Sequence, residues 1–214
     1  MWFFGYIVHN MNTERDREEV LTLEILDTIE KREDVSQRHL ARHLGVALGL
    51  ANSYLKRCIR KGYVKVSQAP ANRYLYYLTP KGFAEKSRLT AQYLSYSLSF
   101  YRKAGESCLR VFDECERRGW RRLLLCGVSD LAEIATLRAM ERDVTIVGFL
   151  DARSERDRFL GRQVWRYPRD CENHDARILT VLDSPQERYG ELLAQTDGVV
   201  LLVPDVLRIE AAGR

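Results

Sequence analysis

Fifty consecutive residues, Val35 to Ala84, contain no aspartate or glutamate, yet they hold nine lysines and arginines (Arg38, Arg42, Lys56, Arg57, Arg60, Lys61, Lys65, Arg73 and Lys81) and two histidines. A solvated surface ordinarily mixes signs, because like charges at neighbouring positions repel. A block this long and this one-sided is the footprint of a surface that meets a polyanion. The acids are displaced rather than scarce: nine fall between Glu14 and Asp34, immediately upstream. Over all 214 residues, 34 Lys and Arg against 30 Asp and Glu leave a net +4, so the total conceals the asymmetry.

The pattern inside the block is specific. Upstream of it, Leu21, Ile25, Leu26 and Ile29 recur at helical spacing within Arg17–Lys31 and predict an amphipathic helix. Ser36 is placed to cap a short helix, Gln37–Leu44, which Gly45 ends by supplying a positive φ. A second helix is predicted from about Leu48 to Lys61, stopping at Gly62. Its Ala51, Tyr54, Leu55, Cys58 and Ile59 share one face, whereas Asn52, Ser53, Lys56, Arg57 and Arg60 share the other. Two short helices about a glycine turn, the second presenting amide, hydroxyl and basic groups, suit a DNA major groove. The β-rich runs Tyr63–Ser67 and Tyr74–Leu78 flank QAPANR, predicting a hairpin with Arg73 near its tip, placed for a minor-groove or phosphate contact.

The run LARHLGVALGLANSYLKRCIRKGYVKVSQAPANRYLYYLTPKG resembles the winged helix-turn-helix of MarR-type bacterial transcription regulators over Val35–Phe83. By that resemblance Leu48, Gly49, Asn52 and Ser53 face the bases, while Lys56, Arg57 and Arg60 approach the backbone; Ser36, Arg38, Lys65 and Arg73 complete the expected DNA-binding set. Ala47 stands where a capping Ser or Thr is usual, and neither Leu48 nor Gly49 offers a base a hydrogen bond. Direct readout is therefore expected to be sparse, with Asn52 the specific contact and phosphates supplying most of the affinity. The alternative is a winged helix used for protein contacts.

Thr79-Pro80 begins a further helix in the preferred way, with a hydroxyl cap and proline at the first position. The segment is expected to run as linker helices over 80–119, interrupted at Gly105, with an aromatic seam (Leu89, Tyr93, Tyr96; Leu94, Leu98, Tyr101) that pairs two copies into a homodimer. Such pairing sets two recognition helices about one DNA turn apart.

The second half alternates buried strands and helices: Arg121–Cys126, a helix to about Glu141, Val144–Leu150, Arg177–Leu182, a helix near Pro185–Gln195, and Gly198–Val203. That order predicts a small parallel-sheet, Rossmann-like domain over 120–214, following the winged helix of 14–79, and an α/β chain overall. Gly127, Ser129 and Ala132 occupy the GxGxxG/A positions with serine in the middle, and Asp151 lies 24 residues after Gly127. The stretch around VTIVGFLDARSERDRFLGRQVW is similar to nucleotide-binding domains of bacterial sugar-nucleotide and polysaccharide-biosynthesis proteins and to CoA-binding domains, through Gly148, Asp151, Gly161 and Val164. The resemblance implies Gly127, Ser129, Asp130 and Asp151 as contacts to a nucleotide such as NAD, CoA or a nucleotide-sugar. The order of winged helix and Rossmann-like domain also resembles the NADH-sensing Rex repressors, although the middle glycine is absent.

No Ser-His-Asp or Tyr-x-x-x-Lys arrangement is present, so no catalytic residue is expected; nor is a metal site, since His, Cys and Met do not cluster. Five cysteines without a CxxC pair read as reduced thiols of a cytoplasmic protein. Met1–Val8 is apolar but lacks a basic leader region, and reads as a packing arm (1–13) or as the product of a start upstream of Met11. The expectation is a dimeric DNA-binding regulator with a ligand-sensing second half. A nucleotide-sugar enzyme and a ligand-free architectural DNA-binding protein are the alternatives.

Overall fold

A computed structural model of the chain describes residues 14–32, 34–70, 73–195 and 198–210, so the expected N-terminal arm and the hairpin-tip residues 71–72 lie outside the described residues. Contacts divide the chain into two compact units, Met1–Ser97 and Leu98–Arg214.

The first unit holds α1 (Glu14–Lys31), α2 (Gln37–Leu44), α3 (Leu48–Arg60), the antiparallel strands β1 (Val64–Ala69) and β2 (Arg73–Leu78), and the start of α4 (Pro80–Arg117). Its core joins Ile25, Leu26 and Ile29 of α1 to Leu40, Leu55, Cys58, Val64 and Tyr76. Each such aliphatic side chain contributes roughly 1.5–3 kcal/mol on burial. The Ser36 hydroxyl accepts from the His39 amide at 3.1 Å, and Gly45 (φ 63°) closes α2 in the left-handed region. This fixes the turn that aims α3.

The start of α4 is clamped onto the end of α3. Thr79 Oγ1 donates to the Gly62 carbonyl at 2.6 Å and accepts from the Gly82 amide at 3.0 Å, while Lys81 Nζ donates to the Lys61 carbonyl at 2.9 Å. A Cβ on Gly82 would lie 2.1 Å from the Tyr63 carbonyl oxygen, so only glycine lets these two backbones touch.

The expected break at Gly105 is absent: α4 is one helix of 38 residues. A mid-helix glycine costs only about 1 kcal/mol, and Gly105 serves a packing need, because its missing Cβ would sit 2.6 Å from Arg138 Nε. Leu89, expected on the dimer seam, is buried within its own chain, while Leu94, Tyr96 and Leu98 are 54%, 46% and 58% exposed.

The second unit takes the rest of α4, β3 (Arg122–Cys126), α5 (Asp130–Ala139), β4 (Thr145–Leu150), β5 (Arg158–Phe159), β6 (Arg162–Trp165), β7 (Ala176–Leu179), α6 (Pro185–Ala194) and β8 (Val200–Leu202). The sheet order is β5-β6-β4-β3-β7-β8, and all neighbours are parallel except β5 with β6. Leu123, Leu124, Leu125, Phe149 and Leu179 are fully enclosed, as expected of strands covered on both faces. The hairpin β5–β6 was not expected from the sequence. Its two-residue turn puts both Leu160 (φ 49°) and Gly161 (φ 76°) in the left-handed region, the geometry that matches strand twist.

All five cysteines are free and four are buried. Burial pushes the thiols of Cys58 and Cys115 up to about 11 and those of Cys108 and Cys126 to about 12.

Arg177 is 2% exposed within β7, where Nε donates to His174 Nε2 at 3.1 Å and Nη1 has no partner. Among the described residues no carboxylate pairs with it. A buried cation without a counter-charge is expensive. Arg177→Met should therefore raise the melting temperature by several degrees in scanning calorimetry; a fall would mean that its bond to His174 outweighs the cost of burying the charge.

Candidate nucleic-acid interface

The face of α3 follows from helical phase. Ala51, Leu55 and Cys58 are buried against the core, and Gly49, Ser53, Lys56 and Arg60 form an exposed stripe at spacings of three and four. On α2, Arg38 and Arg42 are exposed one turn apart, and Lys65 is exposed on β1. Arg42 was not in the expected site; the acid-free composition around it is the signal that could have placed it there.

Two expected contacts sit differently. Arg57 is half-buried and turned to α1, where it forms an ion pair with Glu18, so it is not aligned with Lys56 and Arg60. Asn52 is half-buried, and its Oδ1 is enclosed without a hydrogen-bond partner, so a base edge would meet that acceptor only after the side chain rotates. Ser36 is exposed, with its hydroxyl oxygen engaged as the α2 cap. Arg73 opens β2, and its side chain lies outside the described set.

The charges of this unit are sorted by partner. The described acidic side chains of α1 are answered from within the chain: Glu18 by Arg57, Glu24 by His43 at 3.1 Å, Asp27 by Lys31 at 2.5 Å and Lys86 at 2.8 Å, Glu30 by Lys86, and Glu19 by Arg88 at 3.6 Å. Burial would raise the Asp27 carboxyl, but the ammonium groups of Lys31 and Lys86 hold it below the usual carboxylate range. The groove of about 620 Å³ lined by Glu18, Glu19, Arg57, Lys61, Glu85 and Arg88 thus holds cations alongside their counter-charges. By contrast, no ion pair among the described residues engages Arg38, Arg42, Lys56, Arg60 or Lys65. These five exposed cations are open to an external anion.

Residues 19–65 match the family model described as winged helix-turn-helix DNA-binding. This segment is a winged helix-turn-helix DNA-binding domain. The match takes in α2 and α3 and ends within β1, and the unpaired cations fall on those three elements. No curated protein matches the chain. Among solved structures, the PcaV transcriptional regulator from Streptomyces coelicolor in complex with its natural ligand is 19% identical, covering 51% of this chain and 74% of that one with a TM-score of 0.37. A second PcaV structure, also 19% identical, covers 53% and 84% with a TM-score of 0.39. PigF with SAH is 11% identical, covering 88% and 56% with a TM-score of 0.26.

In the second unit, three of the four residues expected to hold a nucleotide have partners within the chain. Ser129 Oγ donates to the Thr180 carbonyl and accepts from the Ala132 amide at 3.2 Å, capping α5. Gly127 (φ 116°) abuts the loop after β7: a Cβ there would lie 2.5 Å from Val181 Cγ2. Asp151 accepts from the amides of Val128 and Arg153, both at 3.0 Å, and lies 3.4 Å from the Arg188 guanidinium. Asp130 stands at the first position of α5, where burial pushes its carboxyl up.

Proposed function

We propose that the chain is a transcription regulator that binds double-stranded DNA as a homodimer. The observation that carries this reading is the division of charge in the winged-helix unit: the described acids of α1 are answered internally, whereas Arg38, Arg42, Lys56, Arg60 and Lys65 are exposed and make no ion pair among the described residues. In this reading α3 enters the major groove, Lys56 and Arg60 meet phosphates along it, and Lys65 and Arg73 bring the wing to the neighbouring backbone. The exposed Leu94, Tyr96 and Leu98 of α4 meet a second copy and set the half-site spacing. Fragments selected from genomic DNA by the full-length protein should share a palindromic site bound by two copies. Recovery of random fragments, or binding by one copy, would contradict this.

The second unit is read as a Rossmann-like sensor of a nucleotide-type ligand. The strand order supports it: β6-β4-β3-β7-β8 reverses direction between β3 and β7, and the Gly127 and Thr180 turns meet at that switch point, where such sheets take ligands. In this reading a pyrophosphate at the turn competes with the Ser129–Thr180 and Val128–Asp151 bonds, which is how a ligand would favour one conformation over another. A thermal-shift panel of NAD, CoA and nucleotide-sugars tests this. A ligand at about 100 times its Kd adds about 2.7 kcal/mol and several degrees of melting temperature. Flat traces across the panel would assign the unit a structural role.

A further inference from the structure

We infer that the recognition helix selects its site through thymine methyl groups in the major groove, using Leu48 and Leu50 on either side of Gly49. The inference rests on the DNA-binding reading above and specifies which base edge that surface takes. The residues at the start of a recognition helix are those that reach base edges. Here the first turn, Leu48–Gly49–Leu50–Ala51, carries no side-chain donor or acceptor, and Ala47 before it makes no side-chain cap. Leu48 and Leu50 are 44% and 45% exposed, and helical phase puts them about 100° to either side of Gly49.

Gly49 is not required by the fold. A Cβ at this position would meet nothing within 4 Å, whereas a helical glycine is less stable than alanine. The position is open to a surface that approaches from outside. The occupant must be apolar at the leucines and anionic about two to three turns further along, where Lys56 and Arg60 stand exposed without carboxylates. Duplex DNA offers both at that spacing: the thymine C5-methyl is the apolar group on the major-groove edge, and phosphates flank it. Asn52 has its acceptor enclosed, which leaves the Ser53 hydroxyl as the exposed uncharged polar group of this face.

The test uses the full-length protein and a duplex chosen by selection from genomic fragments, with binding followed by fluorescence anisotropy. Each dT of the site is replaced singly by dU, which removes one methyl and leaves pairing intact. At one or more positions per half-site, the wild-type protein should bind about fourfold more weakly. Leu48→Ala or Leu50→Ala should bind the dT and dU duplexes equally at that position. Gly49→Ala should melt about 4 °C higher and bind the site more weakly, because its new methyl occupies the space of the base edge. Equal binding of every dU duplex by the wild-type protein would overturn the inference while leaving the DNA-binding reading intact. So would a dU penalty that persists unchanged in both leucine variants. Failure to bind any duplex would remove the DNA-binding reading itself.

Discussion

Lys56→Glu combined with Arg60→Glu should lower the affinity for the selected duplex roughly 1,000-fold at 0.15 M salt. Each phosphate contact changes log K by about 0.9 per decade of salt, which at 0.15 M is worth about fivefold relative to 1 M. Two contacts in each copy of a homodimer make four, and reversing the charges adds repulsion. Arg57→Ala provides the internal comparison. That guanidinium is already paired with Glu18 on a half-exposed surface, and such pairs contribute about 0–1 kcal/mol. Its loss should change DNA affinity by no more than a few-fold. If Arg57→Ala proves as damaging as Arg60→Ala, the partition of cations on α3 is wrong.

Gly82→Ala should unfold the DNA-binding unit far more readily than any surface change. The new methyl would lie 2.1 Å from the Tyr63 carbonyl oxygen, and the obstacle is backbone, held on both sides by Thr79. Overpacking of this kind costs about 2–4 kcal/mol, or roughly 10–20 °C in melting temperature for a unit of this size. DNA binding should fall with it, since the same contact seats the end of α3. Gly105→Ala makes the comparison sharp. Its methyl meets the movable end of Arg138, which can swing aside, so the loss should be small. Equal melting temperatures for the two variants would refute the close approach at Gly82.

The winged-helix unit was largely legible from its sequence because its signals are local. Ser36, Gly45, Gly62 and Thr79-Pro80 punctuate the chain within a few residues of the ends they set, and the acid-free block marks the exposed face. Four parallel strands, β3, β4, β7 and β8, were legible as largely apolar runs. What escaped depends on partners distant in sequence. Nothing in helical phase separates Arg57 from Lys56 until Glu18, 39 residues upstream, is known to face it. Gly105 resembles a helix break in isolation, and only Arg138, packed over it, explains a glycine inside an unbroken helix. The β5–β6 hairpin was hidden by two short strands rich in arginine, with leucine where an Asn-Gly turn would have announced the positive φ. Likewise, the glycine, serine and aspartate of the β3 turn fit a nucleotide fingerprint by spacing, while their partners Thr180, Val181 and Arg188 lie far along the chain.

In the proposed reading, the unpaired cations on α2, α3 and β1 grip phosphates. The most direct test is the dependence of duplex affinity on salt between 0.05 and 0.2 M, for the wild-type protein and for Lys56→Ala/Arg60→Ala. A plot of log K against log salt should be linear with a slope steeper than about −5 for the wild type, and shallower by about 3–4 in the variant. A slope near zero, or one that the two substitutions leave unchanged, would mean that Lys56 and Arg60 meet no phosphate.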